Sequence, residues 1–261
     1  LTIANEEQLH WLEDASGPAP LNCWLKVDTG MHRLGVTPDK ALQYYQRLVA
    51  THNAVDNVVV YTHFAAADDV QSRQTQQQLA VFNTLSCSAL RSAANSAGLL
   101  AWPQAHYDWV RPGYMLYGNS PLLHDHPQAR SLKPVMTLIS TVISLRDVTA
   151  GEAVGYGGTW VAQRPSRIAT VTIGYGDGYP RHAANGTPVL VNGQRAPLAG
   201  RVSMDMITVD VTDLAEVHLG AEVVLWGGGL PLAEVARYAD TIGYELTTRM
   251  PVRTSRVVVN A

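Results

Sequence analysis

Tyrosines lie in two glycine-rich segments of the sequence, residues 154–158 (VGYGG) and residues 174–181 (GYGDGYPR). The glycines leave Tyr156 and Tyr175 on backbone with few neighbouring side chains, and arginines occur nearby. A tyrosine in a partly dry site beside an arginine can exchange protons near neutral pH. These tyrosines are therefore candidate acid–base groups. In the simpler alternative, the glycines form turns and the aromatic rings only pack.

Charged residues also follow predicted strands in the first half of the chain. Residues 26–35 (KVDTGMHRLG) come at a strand end, the position where parallel α/β proteins place functional groups. Arg33 in this segment could bind a carboxylate or a phosphate through two hydrogen bonds, or it could be a solvated charge in a connecting loop. His63 ends the next strand and can orient another side chain, although a lone histidine is more often structural.

Two further segments could contact a ligand through backbone groups. The turn at residues 94–98 (ANSAG) exposes N–H groups that suit a phosphate, but an ordinary tight turn has the same pattern. Residues 110–113 (VRPG) place Arg111 at the end of an apolar run, where an arginine is costly to bury without a partner. Gly113 would let the backbone approach a ligand closely.

The first half of the sequence alternates predicted strands with predicted helices, which implies parallel βαβ units. Asn5 and Gln8 form the pattern of a capping box at the start of one helix, and Thr37 with Pro38 predicts an N-cap and first residue for the next. A Gln-rich helix is predicted to run to about Arg91. The predicted strands cover residues 1–4, 23–28, 57–64 and 109–117.

From residue 135 onward, strands and turns dominate, with one helix predicted between Pro231 and Gly243. Asn192 and Gly193 form a typical hairpin turn. A cluster of Pro, His and Asp places the boundary near residues 119–134, giving predicted domains 1–125 and 134–261. The first part offers four or five strand–helix units, whereas a closed barrel needs eight, so it is either an open sheet or a barrel that lacks its beginning. The predicted strands of this half are residues 135–145, 167–173, 188–191, 206–211 and 222–226.

Composition excludes several classes of protein. The 261 residues are 46% hydrophobic and 16% charged, which excludes intrinsic disorder. A net charge of -3 and a sequence pI of 6.3 do not suit a nucleic-acid-binding surface. The 2 cysteines, Cys23 and Cys87, have no metal-ligand or CxxC spacing and indicate buried thiols in a reducing compartment. We expect no membrane span and no signal peptide, and the first residue is not Met.

Seven motifs, taken in order, resemble the alanine racemase family. They are KVDTGMHRLG, THFAAADD, ANSAG, DWVRPGYMLYG, VGYGGTW, GYGDGYPRH and GRVSMDM, and the resemblance runs from near residue 1 to about residue 244. It implies an α/β plus β fold, the C-terminal part (about strands four to eight) of a (β/α)8 TIM-type barrel followed by a mainly β domain. It also implies a pyridoxal 5′-phosphate (PLP) cofactor and interconversion of L- and D-alanine by a two-base mechanism.

The resemblance implies partners and a location as well. The partners are alanine as the small-molecule substrate and a second copy of the chain, since family members are homodimers that share active sites. No nucleic acid and no membrane is implied. D-Alanine would serve peptidoglycan synthesis in a bacterial cytoplasm, and no metal is expected.

Roles follow from the resemblance residue by residue. Tyr156 matches the acid–base tyrosine, which reaches the cofactor of the partner subunit. Arg33 and the backbone N–H of Met204 match groups that contact the substrate. The implied cofactor-binding residues are Arg111, facing the pyridine nitrogen, His63, beside that arginine, and the phosphate ligands Ser96, Gly113 and Tyr114. The implied substrate access corridor comprises Asp68, Tyr175, Arg181, Arg201 and Asp205.

The lysines depart from the family pattern. The family holds PLP as a Schiff base on a lysine in a segment like VVKANAYGHG, and that lysine is also the second base; no such segment occurs here. The three lysines present are Lys26, Lys40 and Lys133. Lys26 matches a lysine that is carbamylated in some members. We therefore expect that the chain lacks the N-terminal segment of the family and is inactive alone. A tyrosine common near the C-terminus, a phosphate ligand, is also missing.

Three alternatives remain open at this stage. A racemase for another small amino acid, such as serine, would keep every motif. A related PLP-dependent decarboxylase with a barrel domain would release carbon dioxide. A truncated homologue, or a dimerising scaffold without catalysis, would agree with the absent lysine.

Overall fold

The computed structural model describes residues 1–55 and 57–259, which form two compact units. The first unit comprises Leu1–Leu116 and Ser120–Leu132. The second comprises Tyr117–Asn119 and the described residues from Lys133 onward. Among the described residues, no helix is both long enough and apolar enough to cross a membrane.

The first unit is built on a parallel sheet with strand order β1-β2-β3-β4, alternating with helices as the sequence predicts. All three strand pairings are parallel, so the carboxyl ends of the strands meet at one edge of the sheet. Ile3, Leu25 and Val60 lie in its buried core. The elements are β1 (Thr2–Ile3), α1 (Glu6–Glu13), β2 (Trp24–Lys26), α2 (Ala41–Ala50), β3 (Val59–Tyr61), α3 (Gln74–Asn83), β4 (Leu90–Ser92) and α4 (Ser96–Ala101).

Two helix starts differ in how they are capped. The Asn5 side chain accepts a hydrogen bond from the Gln8 amide and caps α1 as predicted, but the Gln8 side chain accepts from the Ala4 amide rather than completing a capping box. Thr37 and Pro38 take the predicted N-cap and first-turn positions of a short 3-10 helix (Pro38–Lys40) that leads into α2, but the Thr37 side chain makes no capping hydrogen bond. The Thr37 hydroxyl instead pairs with the Asp39 carboxyl, whose pKa it lowers.

Two sequence predictions in this unit differ from the structure. The Gln-rich helix ends at Asn83 and not near Arg91, which lies in β4. The Arg91 guanidinium donates to the carbonyls of Phe82 and Leu85, which closes the helix end. The strand predicted over residues 109–117 is wrong. Only Trp109 pairs with the sheet, through a bridge to Ser92, because the following Pro-Gly pair cannot continue a strand.

The second unit contains a six-stranded antiparallel sheet of order β10-β9-β12-β5-β8-β11, together with the short pair β6-β7. A bridge between Leu198 and Val209 joins the two ends of the large sheet, so it closes on itself. The elements are β5 (Leu138–Val148), β6 (Ala153–Val154), β7 (Trp160–Val161), β8 (Ser166–Val171), β9 (Pro188–Val191), β10 (Gln194–Pro197), β11 (Ile207–Asp210), β12 (Glu222–Trp226), α5 (Leu232–Tyr238) and α6 (Gly243–Thr248).

Local sequence determines much of this unit. Asn192 and Gly193 both have positive φ, as the predicted hairpin turn between β9 and β10 requires. The strands at residues 188–191 and 222–226 have their predicted bounds. The sequence did not predict α6, which starts at Gly243, the residue where the predicted helical region ends.

Candidate active site

A cluster of basic side chains lies at the carboxyl ends of the parallel strands. Lys26 ends β2, His63 follows β3, and Arg111 follows the bridge to β4. The Lys26 ammonium and the Arg111 guanidinium lie 5.0 Å and 4.9 Å from the centre of the Tyr61 ring. We call Lys26, His63 and Arg111 the basic cluster. Parallel topology thus brings together three residues that are far apart in the sequence.

Burial lowers the pKa of each member, and repulsion by neighbouring positive charges adds to this for Lys26 and His63. Burial, followed by the charges of Arg111 and Arg33, lowers the pKa of Lys26 to about 8, with Asp28 acting in the opposite direction. Burial, with Arg111, Lys26 and Arg33 behind it, lowers the pKa of His63 to about 4, so its imidazole is neutral at pH 7. Burial also lowers the pKa of Arg111. The cluster therefore favours an anion.

Neutral oxygens hold the Arg111 guanidinium. Its Nη1 donates to Ser92 Oγ at 2.5 Å, and its Nη2 donates to the Thr62 carbonyl at 2.6 Å. Within the described part of the chain, no carboxylate forms an ion pair with Arg111. The Ser92 hydroxyl is oriented in turn by donating to the Trp109 carbonyl. Arg111 is thus fixed in place while its charge stays uncompensated.

The loop after β2 folds back on its own strand. Asp28 Oδ1 accepts from the amides of Gly30, Met31 and His32 at 3.0 Å each. Burial acts to raise the pKa of Asp28, but these amides outweigh it and the pKa is lowered. The loop leaves Arg33 exposed, close enough for its charge to act on Lys26 and His63.

A second donor group forms at the start of α4. Asn95 caps this helix by accepting from the Gly98 amide at 2.9 Å. Ser96 Oγ accepts from the amides of Gly113 and Met115, at 2.9 Å and 3.3 Å. Because both contacts use the oxygen as acceptor, the Ser96 hydroxyl proton remains available to donate. A Cβ on Gly113 would meet nothing within 4 Å, so the space beside this backbone is open. Tyr114 next to it is buried.

One buried residue of this site was missed by the sequence analysis. Gln78, on α3, donates from Nε2 to the His63 carbonyl at 3.0 Å and to Thr29 Oγ1 at 3.2 Å. Its Oε1 accepts from the Ala65 amide at 2.9 Å. A signal was present in the sequence, because Gln78 occupies the helix face that also carries Leu79 and Phe82. A polar residue on a buried helix face needs internal partners.

Asp68 lies beyond His63 in the same loop. Its backbone carbonyl accepts from the Leu123 amide at 3.0 Å. This contact fixes the backbone of Asp68 but does not involve its carboxylate.

In the second unit, Tyr156 stands on a glycine-rich turn. Gly155, Gly157 and Gly158 all have positive φ, a conformation that residues with side chains rarely adopt. Tyr156 is 72% exposed, so the partly dry environment expected for it is absent from the chain by itself. The tyrosine borders a cavity of 490 Å³, which is also lined by Arg201, by Met206 and by residues of β8 and β11. The complete lining is Gly155, Tyr156, Gly157, Thr170, Arg201, Ser203, Met206, Ile207 and Thr208.

The loop that carries Tyr175 is joined to the loop that carries Met204. The amides of Tyr175 and Gly176 donate to the carbonyls of Ser203 and Met204, at 3.0 Å and 2.9 Å. The contact is so close that a Cβ on Gly174 would lie 2.3 Å from both carbonyl oxygens. The structure therefore places two sequence-predicted segments side by side.

An arginine that the sequence analysis missed bridges these loops. Arg253 Nε donates to Asp177 and its Nη2 donates to Asp205, each at 2.7 Å. Asp205 thus has an ion-pair partner within its own unit. Arg253 is one of three arginines beyond the last helix, and nothing in the local sequence singles it out for such a contact.

Arg181 and Arg201 line a second cavity of 370 Å³ with His182 and Asn185. Asn185 shapes its wall by accepting from the Gly200 amide at 2.7 Å and donating to the Thr159 carbonyl at 2.9 Å. Two arginines in one polar cavity suit a carboxylate. The structure therefore groups the predicted residues within each unit: Arg33, His63, Arg111 and Lys26 in one, and Tyr156, Arg181 and Arg201 in the other.

Comparisons with known proteins agree across both units. The model of the alanine racemase N-terminal domain matches residues 1–121, and that of the alanine racemase C-terminal domain matches residues 135–258. The biosynthetic alanine racemase of Escherichia coli (strain K12) is 50% identical over 261 residues, covering 98% of this chain and 72% of that protein.

Solved structures give the same result. The biosynthetic alanine racemase from Pseudomonas aeruginosa superposes with a TM-score of 0.95 at 48% identity, covering 100% of this chain and 73% of that one. The alanine racemase from Bartonella henselae, solved with covalently bound pyridoxal phosphate, gives a TM-score of 0.81 at 34% identity, covering 91% of this chain and 66% of that one.

Proposed function

The chain belongs to the alanine racemase family of PLP-dependent isomerases, and we propose that its residues bind PLP and contribute to the interconversion of L- and D-alanine. One observation carries the proposal. The Arg111 guanidinium is half-buried at the ends of parallel strands, held by neutral oxygens, and paired with no carboxylate among the described residues. An uncompensated, partly buried charge of this kind calls for an electron-rich ligand.

The donors of the first unit fit PLP. Ser96, with the backbone of Gly113 and Tyr114, would hold the phosphate, since the Ser96 hydroxyl proton is available and the space beside Gly113 is open. Arg111 would face the pyridine nitrogen. A guanidinium only donates hydrogen bonds and stays charged, so it would keep that nitrogen unprotonated. His63, neutral at pH 7, would lie beside it.

The reacting centre needs proton transfer and substrate orientation from the protein. When bound, PLP supplies the electron sink for the charge left at Cα. Tyr156 would move the proton on one face of Cα, acting from the second copy of a homodimer that buries its exposed ring. Arg33 and the Met204 amide would hold the substrate carboxylate. The corridor residues Asp68, Tyr175, Arg181, Arg201 and Asp205 would admit the substrate.

Lys26 is a separate case. Its buried amine, with a pKa lowered to about 8, is a good nucleophile toward carbon dioxide. Carbamylation would replace a buried positive charge by a negative one beside Arg33 and Arg111. This charge reversal supports Lys26 as the carbamylated lysine of the family.

The remaining proposals concern activity and cellular role. The lysines of this chain are Lys26, which belongs to the basic cluster, Lys40, which is exposed on a turn before α2, and exposed Lys133. None matches the lysine that bonds the cofactor in the family, so the 261 residues alone would not racemise alanine.

The function proposed for the parent enzyme is D-alanine supply for peptidoglycan in the bacterial cytoplasm. The missing lysine equally favours a second candidate, a dimerising homologue without catalysis.

A PLP titration of the 261-residue chain separates these proposals. Tryptophan fluorescence would measure affinity, borohydride reduction followed by intact mass would detect a covalent bond, and circular dichroism would follow alanine racemisation. We expect saturable, non-covalent binding without racemisation. Replacing Arg111 by Met should weaken binding about tenfold or more, as expected for a charge-assisted contact, whereas Arg237→Met on the exposed face of α5 should not.

Each other outcome has a definite meaning. Racemisation with a borohydride-trapped adduct would refute the inactivity proposal. Absence of PLP binding would refute the cofactor proposal and favour the dimerising homologue.

A further inference from the structure

Gln78 is a polar side chain in the apolar interior of the first unit. It is 1% exposed and shares its helix face with Leu79 and Phe82. Its carboxamide makes three hydrogen bonds: Oε1 accepts from the Ala65 amide, and Nε2 donates both protons, to the His63 carbonyl and to Thr29 Oγ1. A buried amide held at both ends in this way fixes the geometry of its partners.

The partners of Gln78 belong to two different loops. Thr29 lies in the loop that follows β2 and carries Arg33, whereas His63 and Ala65 lie in the loop that follows β3. Among the described residues of α3, no other side chain forms hydrogen bonds with both loops, and Gln74 contacts only the first, through the Gly30 carbonyl. Gln78 therefore acts as a three-point connection between the two strand-end loops.

The connection continues to the basic cluster. The hydroxyls of Thr29 and Thr62, both buried, lie 2.7 Å apart. The carbonyl of Thr62 accepts from Arg111 Nη2 at 2.6 Å. A hydrogen-bonded path thus runs from the helix through Thr29 and Thr62 to the Arg111 guanidinium.

We propose that Gln78 is a positioning residue that sets the spacing between the Arg33 loop and the His63 loop, and thereby the geometry of the basic cluster. It touches neither cofactor nor substrate in this proposal, and it acts through His63 and Arg111. The contacts of Gln78 do not depend on any ligand. Only their effect on PLP binding rests on the proposed function.

The direct test is the titration of His63 in the full chain without PLP. Gln78→Met keeps the length and volume of the side chain but removes all three hydrogen bonds. Release of the His63 loop should admit water to the imidazole and raise its pKa from about 4 by about one unit or more toward its ordinary value of 6.5. NMR of the histidine Cε1–H resonances measures this value, with His63→Gln assigning the signal.

A control and a second variant keep the test decisive. Gln77→Met changes an exposed glutamine on the same helix and should leave the His63 pKa at its wild-type value. Thr29→Val removes the hydroxyl that accepts from Gln78 and pairs with Thr62, but it keeps the two hydrogen bonds from Gln78 to the His63 loop. It should therefore give a smaller upward shift, and it replaces Gln78→Met if that variant does not fold. A Gln78→Met protein that melts earlier but keeps the wild-type His63 pKa would show a merely structural role and overturn the proposal.

Ligand binding then separates this inference from the proposed function. In chains that bind PLP, Gln78→Met should weaken binding severalfold, whereas Gln77→Met should not. Failure of the wild-type chain to bind PLP would refute the cofactor proposal and leave the His63 result standing. A shifted His63 pKa with unchanged PLP affinity would overturn the link from Gln78 to the cofactor site.

Discussion

The two units hold their candidate catalytic groups by opposite means. In the first, Lys26, His63 and Arg111 are packed at strand ends, and Arg111 is fixed by the hydrogen bonds that it donates to neutral oxygens of Ser92 and Thr62. In the second, Tyr156 projects from glycines of positive φ and is largely exposed. The first unit thus places its basic groups by packing and hydrogen bonds, whereas the second places its tyrosine by backbone shape. Substitutions and pH should therefore affect the units differently.

The largest effect should come from backbone shape in the second unit. Gly174→Ala places a Cβ 2.3 Å from two carbonyl oxygens, so the joined loops must separate. We expect a loss of about 3 kcal/mol in the free energy of unfolding, or failure to fold. Urea denaturation measures it, and Gly228→Ala, whose Cβ would lie 3.6 Å from its nearest neighbour, is the matched control. Equal stability of the two variants would show that this backbone contact is not what holds the loops.

The next effect should come from burial in the first unit and should depend on pH. The unfolded chain takes up a proton on His63 as pH falls through 6.5, but the folded chain does so only near pH 4. The folded state is thus destabilised as pH falls between these values. The shift corresponds to roughly 3 kcal/mol, which partial exposure of the imidazole reduces to about 2 kcal/mol. In urea denaturation from pH 7 to pH 4, wild type should lose about 2 kcal/mol more of its free energy of unfolding than His63→Gln, and parallel curves would contradict this.

Lys26 should show a smaller effect at the alkaline end. Its lowered pKa means that the folded chain releases a proton near pH 8, whereas the unfolded chain keeps it until 10.5. The contribution of Lys26 to the free energy of unfolding is therefore most favourable above pH 10.5 and is lost as pH falls to 8. Lys26→Met should therefore stabilise the chain at pH 7 by about 1 kcal/mol and flatten its alkaline profile. Bicarbonate that stabilises only the wild type would indicate carbamylation, and a destabilised variant would contradict the prediction.

The smallest effect should come from the exposed ion pairs of the second unit. Arg253→Gln removes the bridge between Asp177 and Asp205, but exposed pairs are screened by salt and contribute little. We expect a small fall in melting temperature at low salt that vanishes in 1 M NaCl. A large loss at high salt would mean that Arg253 packs the loops together rather than pairing charges.

The sequence predicted the parallel and antiparallel halves because hydrophobic pattern and turn chemistry are local. The Asn192-Gly193 turn and the strands beside it follow from a few adjacent residues. The strand predicted over residues 109–117 failed because apolar residues alone do not supply a ladder partner, and Pro112 has no N–H to donate. The second helix beyond Gly243 was missed because glycine was taken only as a helix terminator.

The sequence predicted the charged residues of the site but not the residues that hold them in place. Arg33, His63 and Arg111 stand out as charged residues at strand ends, whereas Gln78 and Arg253 act through contacts between segments far apart in the sequence. Such contacts depend on topology, which local patterns do not specify. Exposure of Tyr156 likewise depends on what packs against it.

The bridge between Leu198 and Val209 also matters for solubility in the cell. It directs the outer strands of the six-stranded sheet toward each other, so their backbone N–H and C=O groups are less available to a strand of another chain. Closure of this kind protects the folded sheet against edge-to-edge aggregation. Substitutions that open the junction should therefore lower the soluble yield while leaving every candidate catalytic residue in place.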